Sequence, residues 1–450
     1  MMAMSQAAQI LAGDLKGTDV VFNGVSIDSR SLQTGSIYFA IKGEQFDGHD
    51  FLQQAKDAGA VGAVVERMVD LDLAQIKVND TRKALGELAA NWRQQFKGVV
   101  VGVTGSNGKT TVKEMIAAIF AKQGDVLATR GNFNNDIGLP LTLLRIKKNH
   151  EFAVIEMGAN HKGEINELVH ITMPDIAAIT NAGSAHLEGF GSRQGIAEAK
   201  GEIFSGLKAN GVAIINADDV YADYWAGLCA DKRIMRFALE NKSADVTGEW
   251  QATADGGNLK VHTENGEVTI KLKVPGRHNA LNALAAIAVS QAANITLAYA
   301  QQALNEFEPV KGRLNILRAE SGAKIIDDTY NANPESLLAG LEVLMSMHGE
   351  HWLVLGDMGE LGDHAEQMHK DIGLRARQAG VDHLYATGKN SQSAVDVFGE
   401  NGRYFSDKQT LVSFLIKALH SDLNVLVKGS RFMQMEKIAE ALLKGDESCY

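Results

Sequence analysis

Residues 99–120, VVVGVTGSNGKTTVKEMIAAIF, run from β-branched residues through a glycine-bearing turn into a helical pattern. The opening VVVGV has the length and composition of a buried strand. Val112, Met115, Ile116 and Ile119 fall at i, i+3, i+4 and i+7, which predicts a helix with one buried face. An apolar strand that turns at once into a helix belongs in a mainly parallel sheet covered by helices. Within TGSNGKTT, Gly105 and Gly108 let backbone N–H groups converge without a Cβ in the way. Such a nest at a helix N-terminus attracts an anion; Lys109 adds a cation and Thr110 a hydroxyl suited to Mg²⁺. The loop departs from the strict GxxxxGK[ST] pattern, since Val103 stands where glycine is expected and Gly102 lies beside it. A glycine-rich turn with an incidental surface lysine is the competing reading. The agreement of strand, loop and helix favours a phosphate loop that holds the triphosphate of a nucleotide.

The same rhythm continues along the chain. Strands are expected at 36–43 and 61–65 in a first unit, at 152–158, 176–183 and 211–219 in a second, and at 323–330, 351–359, 383–388 and 423–430 in a third. Helical stretches separate them, so the fold class is α/β throughout. Residues 81–96 read as a helix with Leu85, Leu88, Ala89 and Trp92 on one face, bridging the first two units. EVTIKLKVPG at 267–276 alternates as an antiparallel edge would. The helix from 279 has Leu281, Leu284 and Ala288 in phase. The expected domains are 1–82, 83–312 and 313–450.

Composition narrows the function. A chain of 450 residues has length for about three domains. With 44 basic and 55 acidic residues the net charge is −11, which argues against nucleic acid as the main partner. A small phosphate ligand needs only a local nest and stays allowed. Cys229 and Cys449 form no CxxC pair, in keeping with a reducing compartment and no zinc site. No stretch reads as a secretory signal or a membrane span.

Phosphoryl transfer needs a cation to neutralise developing charge. Glu156 sits at the carboxyl end of the 152–158 strand, the end that faces the ligand crevice of a parallel sheet, and is placed to bind Mg²⁺. His186 follows the 176–183 strand and reaches the same rim. Lys200 lies in a helical stretch, where composition alone reads it as a solvated lysine.

GVTGSNGKTT, GNFNNDIGLP (131–140), EMGAN (156–160), NAGSAHLEGFGS (181–192), EAKGEIF (198–204), PGRHNALNALAA (275–286), KGRLN (311–315), DDTYNANPES (327–336), LGDMGELG (355–362) and VKGSR (427–431) together resemble the Mur ligase superfamily. These are ATP-dependent amide-bond formers of peptidoglycan synthesis, and the resemblance covers essentially the whole chain. DSRSLQTGSIYFAIKGEQFDGHDF is similar to the UDP-sugar-binding N-terminal domain of the branch that adds D-alanyl-D-alanine to a UDP-N-acetylmuramoyl tripeptide. The DNPR-type signature of the diaminopimelate-adding relative is absent. The resemblance implies a central ATP-binding domain and a Rossmann-like C-terminal domain. It puts ATP on Thr104, Gly105, Ser106, Asn107, Gly108, Lys109, Thr110 and Thr111, with Asn279 and Asn282 at adenine and Arg313 and Asp328 at the phosphates and ribose. It puts Mg²⁺ among Thr110, Glu156, His186 and a carbamylated Lys200. Lys109, His186, Lys200 and Arg313 are implied in catalysis. Asp28, Ser29, Arg30 and Lys42 would hold the UDP side, Asn134 and Asn135 the muramyl-peptide side, and Tyr330, Asn331 and Asn333 the interdomain site.

The implied reaction passes through an acyl phosphate, in a cytoplasmic bacterial monomer that closes its third domain over the nucleotide. The rivals are a sister ligase of the superfamily, tripeptide-forming or folylpolyglutamate-type, and a P-loop nucleotide switch without ligase activity. Activity with D-alanyl-D-alanine rather than a free amino acid separates the first. Nucleotide hydrolysis without amine dependence marks the second.

Overall fold

Val99–Thr104, the strand that leads into the phosphate loop, lies inside a nine-stranded sheet in the computed structural model, which describes residues 1–184, 187–253 and 256–446. Phe152–Glu156 pairs with it on one side and Ile176–Ile179 on the other, both parallel. Parallel pairing continues to Val126–Ala128 at one edge, and through Val212–Asn216 and Arg233–Ala238 to Val246–Thr253 on the other side. Gly256–Thr263 and Gly266–Leu272 then add as antiparallel strands, so the alternation at 267–276 does mark an antiparallel edge. The Arg233–Ala238 and Val246–Thr253 strands go beyond the sequence reading. Their runs are partly exposed and mix polar with apolar residues, so they lack the continuous apolar signal of the inner strands.

The period of two in a strand sends alternate side chains to opposite faces. Val100, Ala153, Ile155, Ala177 and Ile179 enter one core. Val101, Val103, Val154, Ile176 and Ala178 enter the other. The second core seats the loop helix, Lys109–Phe120, whose Val112, Met115, Ile116 and Ile119 are fully buried as their spacing predicts. It also seats Arg277–Ala292, where the expectation of a single apolar face proves too narrow. Every residue from Asn282 to Gln291 is buried, while Leu281 is only partly so. The many alanines make this helix thin enough for sheet, loop helix and the Leu297–Glu306 helix to close around it.

The first core runs on into the N-terminal unit. There a five-stranded sheet, residues 14–77, contributes Ile37, Phe39, Val64 and Ile76 to the same cluster as Leu85, Leu88 and Ala89 of the Thr81–Gln94 helix. Asp80 caps that helix, accepting from the N–H groups of Arg82 and Lys83. The helix is thus a common wall between the N-terminal sheet and the central one. Trp92 is only partly buried, and its indole N–H donates to the Ile146 carbonyl at 3.1 Å.

A six-stranded sheet follows, in the order Asn315–Arg318, Lys324–Asp328, Leu423–Lys428, Glu350–Gly356, His383–Thr387 and Gly402–Phe405. Only the first pairing is antiparallel. Among the described residues no helix is long and apolar enough to cross a membrane.

Because residues 282–291 of this helix are all buried, their neighbours have little freedom to collapse into a void. Leu284→Ala should therefore cost about 2–5 kcal/mol, the range of buried leucine truncations, read as a lowered urea midpoint with an unchanged slope.

Candidate active site

Strand order in the central sheet reverses around Val99–Thr104: the chain goes first to one side of it and then to the other. In open α/β sheets the ligand crevice opens at the carboxyl ends of the strands beside such a point. The loop 104–110 sits there. Gly105 (φ +147°) and Gly108 (φ +80°) occupy backbone conformations that side chains disfavour. A Cβ on Gly105 would collide with the Thr180 hydroxyl, and one on Gly108 with the Asn282 side chain. Neighbouring strand ends fix the loop. Asn181 accepts from Ser106 N–H and Asn107 N–H at 3.0 Å each, the Thr180 hydroxyl donates to the Asn107 carbonyl at 2.6 Å, and Thr104 donates to the Met157 carbonyl at 2.9 Å. Thr111 is buried within the first helical turn.

Lys109 folds back over its own loop, donating to the carbonyls of Gly105 (2.6 Å) and Ser106 (3.1 Å). Burial lowers its pKa; Glu156 and Glu360 pull it up and Arg313 pushes it down. A phosphate arriving in the loop would give this ammonium a full anionic partner in place of two carbonyl dipoles.

Glu156 is buried at the end of its strand. Its two oxygens accept from the Thr110 hydroxyl at 3.0 Å and from Asn134 Nδ2 at 2.7 Å. Asn134 thus lies at the phosphate-loop side of the crevice, while Asn135 accepts from Gly138 N–H at the start of a short helix. A carboxylate next to a hydroxyl beside a phosphate loop is a donor set that fits Mg²⁺, which takes one or two protein oxygens and completes its shell with phosphate and water.

Lys200 is not a solvated lysine. It is 1% exposed, and its Nζ has no hydrogen-bond partner among the described residues. The ammonium lies 5.2 Å from the centre of the Phe190 ring. Burial, reinforced by Lys109 and opposed by Glu164 and Glu202, pushes its pKa down to about 7. A buried amine that is substantially neutral and unpartnered fits the carbamate that the resemblance implies. His186, expected on this rim, lies outside the described residues.

The third domain reaches the same crevice. Arg313 stacks its guanidinium on Tyr330, 4.0 Å from the ring centre, and points toward the Thr110 hydroxyl at 3.5 Å. Asn333 caps Pro334–Met345 and donates from Nδ2 to Asn107 Oδ1 at 2.7 Å. Asn331 accepts from Ala332 N–H through its side chain and from Lys428 through its carbonyl. Asp328 is engaged within its own domain, in a buried ion pair with Lys428. Next to this pair, His278 has an Nδ1 without a hydrogen-bond partner among the described residues, and burial pushes its pKa down to about 4, with Asp328 opposing the effect and Lys428 adding to it. Asn279 and Asn282 are buried at the start of the same helix and joined to each other at 3.1 Å, with Asn282 against Gly108.

In the N-terminal unit Asp28 holds Arg30 by two side-chain hydrogen bonds, at 2.9 and 2.8 Å, and Ser29 donates to Gln54 at 3.0 Å. Lys42 is exposed, its backbone bridged to Asp47. These residues lie in loops around the N-terminal five-stranded sheet, whereas the phosphate loop follows a strand of the nine-stranded one. Lys428, His278 and Glu335 are the site neighbours that sequence reasoning assigned no role. Each lies inside a quoted motif, but their partners are remote in the chain and no spacing rule links them.

Comparison with known proteins agrees with this geometry. Residues 21–93 match the model of the Mur ligase family, catalytic domain; 103–290 match the Mur ligase middle domain; 312–431 match the Mur ligase, glutamate ligase domain. The UDP-N-acetylmuramoyl-tripeptide–D-alanyl-D-alanine ligase of Escherichia coli (strain K12) is 44% identical over 442 residues, 98% of each chain. The enzyme of that name from Haemophilus influenzae is 41% identical over 97% of each chain. Among solved structures, MurF from Acinetobacter baumannii superposes with a TM-score of 0.92 at 37% identity over 98% of both chains. MurF ligase from Thermotoga maritima in complex with ADP gives 0.85 at 30% identity, covering 96% of this chain and 100% of its own.

The environment of His278 has a thermodynamic consequence. Its ring is neutral in the folded state down to about pH 4, whereas in the unfolded chain it takes a proton near 6.5. The unfolded state therefore binds more protons between these values, and stability falls as pH falls through that window. Urea unfolding at a series of pH values should show a shallower acid loss in His278→Gln than in the wild type.

Proposed function

The chain belongs to the Mur ligase family, and on that premise we propose that it joins D-alanyl-D-alanine to a UDP-N-acetylmuramoyl tripeptide, with cleavage of ATP to ADP and phosphate. It is an ATP-dependent ligase of peptidoglycan synthesis. The observation that carries the reading is the convergence of Lys109, Thr110 and Glu156 with Arg313 of another domain at one crevice. The match to Mur ligase domains along the chain, rather than the arginine alone, favours this reading over a nucleotide switch. We place the enzyme in the cytoplasm, where ATP is available.

The tripeptide carboxylate attacks the γ-phosphorus of ATP, ADP leaves, and an acyl phosphate forms. The dipeptide amine then attacks the acyl carbon, and phosphate departs as the amide forms and the nitrogen gives up its proton. Two anions must meet in the first step, so fixed positive charge should dominate catalysis. Lys109 is released from its loop carbonyls to the phosphates. Arg313, carried on the Tyr330 ring, approaches the same group from the opposite domain. Loop N–H groups and the N-terminus of Lys109–Phe120 complete the cradle. Thr110, Glu156, His186 and the carbamate of Lys200 would hold Mg²⁺, which would supply charge neutralisation to the phosphates. The dipeptide amine must be neutral to attack; a reference pKa of about 7.7–8.0 leaves part of it so at neutral pH. Asp28, Ser29, Arg30 and Lys42 are proposed to hold the uridine diphosphate end, with Asn135 nearer the peptide.

The deciding experiment measures ADP release with ATP, Mg²⁺ and UDP-N-acetylmuramoyl tripeptide, adding D-alanyl-D-alanine last and weighing the product. The reading expects release that depends on the dipeptide and a product heavier by one dipeptide unit. Release without that dependence would move the chain to a sister ligase or a switch. Lys109→Ala should lower kcat by roughly 10²-fold or more, as loss of a transition-state charge contact does. With ¹³C-bicarbonate, the wild type should show a carbamate carbon resonance that Lys200→Arg lacks.

A further inference from the structure

Glu335 has no part in the reaction as derived above, yet it makes a direct bond from the third domain to the rim of the crevice. It lies in the first turn of Pro334–Met345. Its Oε1 accepts from Ser184 N–H at 2.9 Å and also from the Ser184 hydroxyl. Ser184 follows Gly183, whose carbonyl takes the Ser106 hydroxyl of the phosphate loop at 3.2 Å. From the same helix start, Asn333 holds Asn107 of the loop at 2.7 Å. One helix end therefore grips the phosphate loop and, separately, the segment that braces it.

The connection into the third domain carries Arg313 in a constrained turn. Gly312 (φ +74°) and Leu314 (φ +52°) both lie in the left-handed region, on either side of Arg313. Leucine rarely adopts that conformation, so the turn is held by its surroundings: Leu314 N–H donates to Asp328 Oδ1 at 3.3 Å. At Glu335 the grip itself is lopsided. Hydrogen bonds to a carboxylate are among the stronger ones, and two donors meet at Oε1. Glu335 Oε2 is buried with no partner among the described residues, which costs free energy that the helix N-terminus offsets only in part. Strong contact on one oxygen and a penalty on the other give a joint that closes without locking.

We infer that Glu335 is a positioning residue that latches the third domain shut and so holds Arg313 opposite Thr110 during phosphoryl transfer. The inference rests on the ligase reading for its kinetic consequence, and on geometry alone for its structural one. The latch acts when the domains close, after the loop has taken ATP. Its loss should therefore fall on kcat and spare the KM for ATP.

The test compares wild type with Glu335→Ala and Glu335→Gln, each checked for folding by circular dichroism. X-ray scattering in solution with ADP and Mg²⁺ reads closure, and ADP release reads kinetics. Glu335→Ala should scatter as a more extended particle and lose roughly tenfold or more in kcat, the scale of one charge-assisted hydrogen bond. The glutamine side-chain oxygen can still accept both Ser184 donors, so Glu335→Gln should restore compactness and most of kcat. If the alanine variant unfolds, Glu335→Asp, one methylene short, takes its place with the same expectation. Wild-type scattering and kcat in the alanine variant would overturn the latch, as would a glutamine variant as impaired as alanine, which would assign the effect to charge. Should the wild type show no dependence on D-alanyl-D-alanine, the ligase reading fails by itself, and the scattering comparison still decides the latch.

Discussion

Glu156 is the point on which the site hangs. One carboxylate takes the first turn of the loop helix through Thr110 and the 131–137 segment through Asn134, while its own N–H is fixed by Thr129. Thr110 in turn faces Arg313 from the third domain. A buried carboxylate survives only where donors surround it. Here those donors come from separate segments, so satisfying one charge aligns the loop helix with the 131–137 segment, and Thr110 carries the contact on to the third domain.

The sheet makes that arrangement possible. Because its inner strands are parallel, their carboxyl ends lie together, and the loop 104–110, Glu156 and the 180–184 segment share one rim. Two cores hold the strands from either face. The upper face traps the loop helix between the sheet and an alanine-rich helix buried all round. The lower face shares its packing with the N-terminal unit. The phosphate loop is consequently anchored from the protein side, which is what preorganised binding of an anion requires.

Charge at the site is arranged to be completed by substrate. Lys109 and Lys200 are both driven toward their neutral forms by burial, and Lys109 adds to the cost of charging Lys200. In the proposed function, phosphate oxygens would resolve the first case, and a carbamate would resolve the second by turning a cation into an anion. The Asp328–Lys428 pair deals with its own burial internally and leaves the neighbouring His278 neutral.

Much of this was legible in the chain itself. Val112, Met115, Ile116 and Ile119 gave the buried face of the loop helix, because burial on one side of a helix leaves a period that a sequence records. Gly105 and Gly108 marked the loop, because only a residue without a Cβ fits those positions. Glu156 was readable from its place at a strand end. Lys200 was not: a lysine in a polar-looking helix carries no mark of the burial that neighbouring elements impose. Nor were Asn333 against Asn107, Glu335 against Ser184, or Arg313 on Tyr330. The sequence by itself determined the α/β rhythm, the phosphate loop and the family, since these rest on local periodicity and on residues whose backbone demands are intrinsic. Only the tertiary structure decided which charges are buried, which are paired and which domains touch. Those depend on contacts between residues far apart in the chain, and a desolvation energy exists only once the surroundings have assembled.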